Sequence, residues 1–300
     1  MLRHHAASVT ALPAFTDSDV DTWTWTPAPA QSLGGAHRKQ LYHGPAGSTW
    51  MFKPDEGAGG ARAHAEVAAN TVYSAVGIPA VAARVTKING AVGCIQPMLS
   101  GSSNLSSDPS SWSQSDVDAI VRYHVGAWAV GDHDGKPDNM LRTASGGVVP
   151  VDAGQAFKFF GRDRLSTGYA PNAGHGVGQA VFHQAYKAAH HGQLGPGVKI
   201  RAAAAIPVLS AFHAIPDSQY RAMLHTTAHH GVRSNVHWVT PMREAAATRL
   251  HKPAPDVTAD DIADQFLRTA LARKHALRAD FAAFFADLDP AGAHQLPQVT

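Results

Sequence analysis

The chain has 300 residues, of which 44% are hydrophobic and 16% charged, and this composition is typical of a folded globular protein long enough for two lobes. The 25 basic and 23 acidic residues give a net charge of +2, so the charge balance gives no reason to expect nucleic acid or an anionic membrane as a partner. The single cysteine, Cys94, excludes an internal disulfide and a cysteine-based zinc site, and its apolar neighbours favour a buried thiol.

Nothing in the sequence points to secretion or membrane insertion. The residues from Met1 to His5 lack the apolar run of a signal peptide, and the most apolar later segment, 202–216, is short and interrupted by proline and polar residues. We therefore expect a cytoplasmic protein without membrane insertion. The 19 histidines are scattered, which is more typical of solvated surface than of a metal site.

The first hundred residues predict a small antiparallel sheet and one helix. Alternating or apolar runs bounded by turn residues indicate strands at 22–26, 40–43, 49–53, 81–85 and 90–97. A Gly- and Pro-containing turn at 44–48 predicts that the second and third strands form a hairpin. Apolar residues recur at helical spacing over 61–76, between a glycine-rich loop and Gly77.

The remainder of the chain predicts a helical region. A serine-rich segment, 100–115, indicates an exposed connector, and a helix follows over 116–130 with Ser115 as its N-cap. Further helices are predicted beyond residue 195, ending in a long amphipathic helix over 259–288. The fold class is thus α+β, with a sheet lobe over 1–98 and a helical lobe over 99–300. The Gly- and His-rich stretch 174–191 suits a substrate loop and a surface loop equally.

Two polar clusters near the middle of the chain suggest a catalytic site. The first is a turn rich in Asp, Asn, Gly and Pro that contains Asp134 and Asn139, and the second is an apolar strand that ends at Asp152. If these three side chains converge, they provide one carboxylate to orient an attacking group and two hard oxygen ligands for magnesium. This is the set of groups that phosphoryl transfer from a magnesium-bound nucleotide requires.

A phosphotransferase site of this kind predicts further parts upstream. It requires a lysine at the end of a strand to bind phosphates, and a glutamate on the next helix to hold that lysine. Lys53 closes the strand over 49–53, and Glu66 lies in the predicted helix that follows. An earlier glycine-containing turn over 32–39, with Gly34, Gly35 and Lys39, suits a loop whose backbone amides cover phosphate oxygens.

Other interpretations of the central turn stay open. A solvated turn without function explains that segment alone, but it leaves Lys53 and Glu66 unexplained. A metal-dependent phosphohydrolase with a His-Asp pair is suggested by His133 and Asp134, although the motif is one residue short and its glycines disfavour a helix. An EF-hand is excluded because Thr143 stands where the bidentate glutamate belongs.

The order and spacing of these motifs resemble the atypical kinases that include HipA-like protein kinases and the phosphatidylinositol 3- and 4-kinases. The resemblance covers roughly 32–157 and rests on four segments. These are the loop Gly35–Lys39, the strand Trp50–Pro54 ending in Lys-Pro, the catalytic-type loop Asp134–Asn139, and the metal-type motif Val151–Phe157. The sequence departs from the family at Lys136, where a histidine is usual.

The resemblance implies a two-lobed, protein-kinase-like fold and ATP- and Mg²⁺-dependent transfer of phosphate to a hydroxyl. Asp134 and Lys136 would be catalytic, Asn139 and Asp152 would bind magnesium, and a hinge near 96–98 would join the lobes. The residues implied in ATP binding are Gly34, Gly35, Lys39, Lys53, Glu66, Gln96 and Met98.

The acceptor is not determined by the motifs. A Ser or Thr residue of a protein or peptide is the first expectation, and a small metabolite or antibiotic the second. The acidic residues between 256 and 264 are more typical of a solvated helix N-terminus than of a pocket for a cationic antibiotic. A nucleotide-binding pseudokinase or scaffold that holds a partner without chemistry is the alternative from a different class.

Overall fold

The protein has an α+β architecture, as its sequence predicts. The computed structural model describes residues 20, 22–29, 38–44, 47–57, 59–99, 101–169, 171 and 180–296. In these ranges an antiparallel sheet occupies the N-terminal part of the chain, and helices make up most of the part that follows.

Five strands form the N-terminal sheet in the order β1-β2-β3-β5-β4, and every neighbouring pair is antiparallel. The strands are Thr26–Pro27 (β1), Gln40–His43 (β2), Thr49–Pro54 (β3), Arg84–Ile88 (β4) and Ala91–Pro97 (β5). The predicted hairpin of the second and third strands is confirmed, with His43 opposite Thr49.

Two of the strand predictions were wrong in extent. The strand expected over 22–26 is reduced to β1, because the indoles of Trp23 and Trp25 pack edge-to-face on Trp50 at centroid distances of 5.2 and 5.6 Å. The strand expected over 81–85 starts only at Arg84. Its register is set by a tight turn at Asn89 and Gly90, both with positive φ, the conformation that a two-residue hairpin requires.

One helix of the N-terminal part, α1 (Ala61–Ala75), joins the sheet to the helical region. Gly77, with φ of 76°, follows its end, and the amide of Ile78 bonds back to the Tyr73 carbonyl. Val72 and Tyr73 are fully buried in the large hydrophobic core that the helical region also forms. Because α1 belongs to this shared core, the division of the chain at residue 98 stays a prediction.

The serine-rich segment is more structured than a connector. Between the serines, Leu105 and Trp112 contribute apolar side chains, and both are buried in the large core. The helix α2 (Gln114–Val130) begins earlier than predicted. Ser113, not Ser115, is its N-cap, because the Ser113 hydroxyl and the Asp116 carboxylate bond to each other's backbone amides in a capping box.

A small three-stranded sheet contains one strand that precedes α2 and two strands that follow the polar turn after α2. Its strands are Ser103–Asn104 (β6), Met140–Arg142 (β7) and Val148–Pro150 (β8), paired antiparallel in that order. Asn139 and Asp152 therefore lie at neighbouring ends of β7 and β8.

The helical region is built around the long predicted helix. Its helices are Val181–His190 (α3), Ile206–Ala214 (α4), Asp217–Arg233 (α5), Val239–Leu250 (α6), Ala259–Phe285 (α7) and Pro290–Ala293 (α8). The aromatic side chains of Phe266 and Phe281 on α7 are fully buried in the large core. None of the helices in these ranges combines the length and apolar character that a bilayer-spanning segment needs.

Candidate active site

The ammonium of Lys53 is held between two carboxylates that come from distant parts of the chain. Lys53 lies in β3 opposite Cys94 of β5, and its Nζ donates to Oε1 of Glu66 on α1. The same Nζ donates to Oδ1 of Asp152 at 3.1 Å. The Lys53 and Glu66 side chains are only 7% and 4% exposed, so this is a buried ion pair of the kind that must be internally compensated.

Burial and neighbouring charges have opposite effects on the pKa values of Lys53 and Glu66. Burial opposes the charged form of Lys53, but Glu66 and Asp152 outweigh it and raise the pKa of the ammonium, which stays charged. Burial raises the pKa of Glu66, and Lys53 offsets this in part. Burial and the nearby Glu66 also raise the pKa of Cys94 well above its usual value. Cys94 is therefore a buried neutral thiol, as the sequence predicts.

The polar turn after α2 is anchored by Asp132, a residue that sequence reasoning did not single out. Its Oδ2 accepts hydrogen bonds from the hydroxyls of Tyr73 at 3.0 Å and Tyr123 at 2.8 Å, and all three side chains are buried. Tyr73 belongs to α1, so this contact ties the turn to the helix that carries Glu66. The position of Asp132, two residues before Asp134, was the feature of the sequence that could have identified it.

A buried ion network supports the turn from the other side. The His133 Nε2 atom lies 2.9 Å from Oδ2 of Asp163, and Arg273 of α7 bonds to both oxygens of Asp163. Arg273 also donates to the Trp128 carbonyl and lies over the Trp128 ring. No local pattern predicts this network, because Asp163 lies 110 residues from Arg273.

Asp134 and Asn139 are oriented within one tight loop. The Asn139 Nδ2 atom donates to the Asp134 backbone carbonyl at 3.0 Å, which leaves the amide oxygen as the atom of Asn139 that can bind a cation. Burial raises the pKa of Asp134 to about 6, and the nearby carboxylates of Asp132 and Asp152 contribute. Oδ1 of Asp134 is buried without a hydrogen-bond partner among the described residues.

Asp152 has a left-handed backbone, with φ of 65° and ψ of 45°. This conformation is uncommon for residues other than glycine, and at functional sites it is held by the surrounding structure. It places the Asp152 carboxylate on Lys53, with the Nζ of Lys39 at 3.9 Å from the other oxygen. Asp152 is also close enough to Asp134 to raise the pKa of that carboxyl.

The predicted site residues in the described part of the chain line two adjoining cavities. The smaller one, termed here the inner cavity, is lined by Lys53, Glu66, Asp134 and Asp152, among others. The larger one, termed the outer cavity, has a volume of about 480 Å³ and is lined by Lys39, Gln96, Met98, Lys136 and Asn139, together with apolar side chains. Gly34 and Gly35 lie outside the described residues.

The outer cavity suits a planar, partly polar group such as a nucleotide base. Met51, Val81 and Val151 supply apolar walls. Gln96 is 3% exposed, and its Oε1 has no hydrogen-bond partner within the described ranges, so an amino group in the cavity could satisfy it. The Met98 amide donates to the Thr49 carbonyl at 3.0 Å, so Met98 presents its side chain, not its N–H, to an occupant.

The donor set fits magnesium bound together with phosphates. Across the described ranges, no group of three or more His, Cys, Asp or Glu side chains is placed to hold a metal ion. Asn139 and Asp152 offer two oxygen ligands, and Mg²⁺ is usually bound by one or two carboxylates plus substrate phosphates and water. The buried Oδ1 atom of Asp134, which has no hydrogen-bond partner among the described residues, suits a substrate that carries a hydroxyl group. The lysines around the cavities suit a second substrate that is anionic.

No protein-family model matches the chain, and no curated protein matches it. Among solved structures, the crystal structure of a Helicobacter pylori proinflammatory kinase, CtkA, matches with a TM-score of 0.48 and 10% sequence identity. The match covers 91% of this chain and 98% of that chain.

The N-terminal antiparallel sheet, the helix α1 that carries Glu66 and the helical region together give the α+β fold class that the sequence predicts.

Proposed function

We propose that this protein is an ATP- and Mg²⁺-dependent phosphotransferase that acts on a hydroxyl group. The observation that carries the proposal is the position of Lys53, whose ammonium lies between Glu66 and Asp152 in a cavity that Asp134 also lines. In protein kinases, a strand lysine paired with a helix glutamate contacts the phosphates beside a carboxylate that binds magnesium. A solvated turn gives no reason for these four residues to meet.

In this proposal each residue of the site has a distinct role in binding the nucleotide or in transferring the phosphoryl group. Lys53, held by Glu66, binds the α- and β-phosphates, and Asn139 and Asp152 bind the magnesium ion, which neutralises charge on the phosphates. Asp134 orients the acceptor hydroxyl and accepts its proton. Lys136 stabilises the transferred phosphoryl group as a point charge, in the place where the resembled family has histidine.

The nucleotide base would occupy the outer cavity. Gln96 would accept a hydrogen bond from the base, and Met98 would pack on it. Lys39, with Gly34 and Gly35 before it, would cover the phosphates. Because catalysis here is positioning and electrostatics, loss of one such group is expected to lower the rate by about 10²–10³-fold.

Membership of the HipA-like and phosphatidylinositol kinase-like group is part of the same proposal. It is supported by the Lys53-Pro54 end of β3 and by the hydrogen bond that closes the loop from Asp134 to Asn139. We propose a Ser or Thr residue of a protein or peptide as the acceptor. The acidic residues that a cationic antibiotic would need are engaged elsewhere, since Asp261 belongs to the capping box of α7 and Asp264 pairs with Arg221 and Arg268.

Incubation with γ-labelled ATP, Mg²⁺ and candidate acceptors, including the protein itself, tests the proposal. The wild-type protein should transfer label, Asp152→Ala should abolish transfer without unfolding, and Asp256→Ala, at an exposed position away from the cavities, should behave like wild type. Asp152→Ala activity equal to wild type would reject the assignment. Thermal stabilisation by Mg-ATP without any transfer would instead identify a pseudokinase or scaffold.

A further inference from the structure

A third cavity, termed here the basic cavity, adjoins the inner cavity and has a volume of about 670 Å³. It lies between the start of α1, the segment that follows Asp152, and the corner between α5 and α6. Three residues, Arg62, Gly154 and Gln155, line both the inner and the basic cavity. A molecule in the basic cavity would therefore lie next to the inner cavity, which Asp134 lines.

The basic cavity is lined by cations without carboxylates. Arg62, Lys158 and Arg162 contribute to its wall, and no Asp or Glu is among the described residues that line it. Arg162 lies 3.4 Å from Glu244, but this pair is largely exposed, and pairs of that kind contribute little. The cavity thus has an excess of positive charge, although the whole chain is nearly neutral.

One of these cations lies close to the residues that both cavities share. The Lys158 amide donates to the carbonyl of Gln155, which lines both the inner and the basic cavity. An anionic group bound by Lys158 would therefore lie near the wall that the two cavities share.

The remaining wall suits a polypeptide better than a single small anion. Ser234, Asn235 and Thr240 present hydroxyl and amide groups, which pair with peptide N–H and C=O groups. The volume is also well above what one phosphate group fills, and the cations belong to two different elements.

We propose that the basic cavity binds the acceptor, a peptide segment in which Asp, Glu or phosphorylated side chains flank the Ser or Thr to be modified. This inference rests on the proposed phosphotransferase function and deepens it. In the reaction, the acceptor oxygen attacks the γ-phosphorus and forms the new O–P bond, while the bond between the γ-phosphorus and the β–γ bridging oxygen breaks. The hydroxyl proton passes to Asp134, and ADP leaves with the bond's electron pair.

Positional peptide libraries with a central Ser or Thr test this proposal, with kcat/KM measured on acidic, neutral and basic sets and Mg-ATP binding measured separately. The ratio of kcat/KM for acidic to neutral peptides should reach about fivefold, since one partly exposed ion pair contributes up to about that factor. Lys158→Gln and Arg162→Gln should each lower the ratio. Arg164→Gln is the matched control, because Arg164 lies in the same segment, is exposed and does not line the cavity.

The possible outcomes distinguish failure of the acidic-peptide inference from failure of the proposed phosphotransferase function. A ratio near one, a ratio unchanged in both variants, or transfer to a sugar phosphate in preference to every peptide would overturn the acidic-peptide inference while leaving the phosphotransferase function intact. Failure to bind Mg-ATP together with no transfer to any acceptor would refute the proposed function itself, and the inference with it.

Discussion

Replacement of Lys53 by methionine tests the arrangement on which the site depends. Methionine keeps most of the aliphatic volume but removes the ammonium, which leaves the buried Glu66 carboxylate without its partner. Breaking a buried ion pair in this way costs about 3–5 kcal/mol, and the low exposure of both side chains leaves little screening to reduce that figure. We expect a loss of about 3 kcal/mol in the free energy of unfolding, because protonation of Glu66 relieves part of the cost.

The pH dependence of the variant has a definite sign. Burial raises the pKa of Glu66, so with Lys53 removed the folded state holds a proton that the unfolded state releases. The stability associated with a raised pKa is present below the unfolded value and is lost as pH rises through the folded value. The Lys53→Met protein should therefore be closer to wild type at pH 5 than at pH 8.

Urea unfolding followed by tryptophan fluorescence measures these differences. The double variant Lys53→Met, Glu66→Gln should recover most of the lost stability, because the buried Glu66 charge is gone and the partly exposed Asp152 keeps Lys39 at 3.9 Å, while phosphotransfer stays abolished. Lys87→Met, on an exposed position of β4, is the control and should fall within about 0.5 kcal/mol of wild type. A Lys53→Met protein as stable as this control would refute the buried pair.

Three further outcomes follow from the same geometry. Phosphotransfer should fall about tenfold per pH unit below pH 6, because the Asp134 carboxyl, with a pKa of about 6, is then protonated. In a rate–pH measurement Asp134→Asn should lower the rate about 10²–10³-fold, and the residual rate should lack this pH dependence. Arg273→Met should cost about 3–5 kcal/mol in urea unfolding, since it removes the guanidinium that bonds to both oxygens of the buried Asp163 carboxylate. Arg268→Met, in an exposed pair on the same helix, should cost under about 1 kcal/mol, and equal costs would contradict the network. Gly135→Ala should lower activity and cost about 1–3 kcal/mol, because its Cβ would lie 2.2 Å from the Tyr123 hydroxyl, and a fully active, equally stable variant would show that the loop packs differently.

Local sequence patterns predicted those elements that local interactions determine. The hairpin β2–β3 and the helix α1 follow from turn residues and from apolar spacing, and both were found close to their predicted bounds. The N-cap of α2 was placed two residues late, because several serines compete there and only the return bond from Asp116 selects Ser113. The early strand was overestimated, because an alternating Thr-Trp pattern suits a strand and an indole cluster equally well.

By itself, the sequence determined the α+β class, the order of the motifs and the chemical types of the residues proposed for the site, since these are properties of composition and spacing. Only the tertiary structure decided that Lys53 meets Asp152 across 99 positions, that Asp132 and Arg273 hold the loop, and that a cationic cavity shares part of its wall with the inner cavity. The physical reason is that burial and charge pairing depend on which distant side chains the packed core brings together, and spacing along the chain does not specify these contacts.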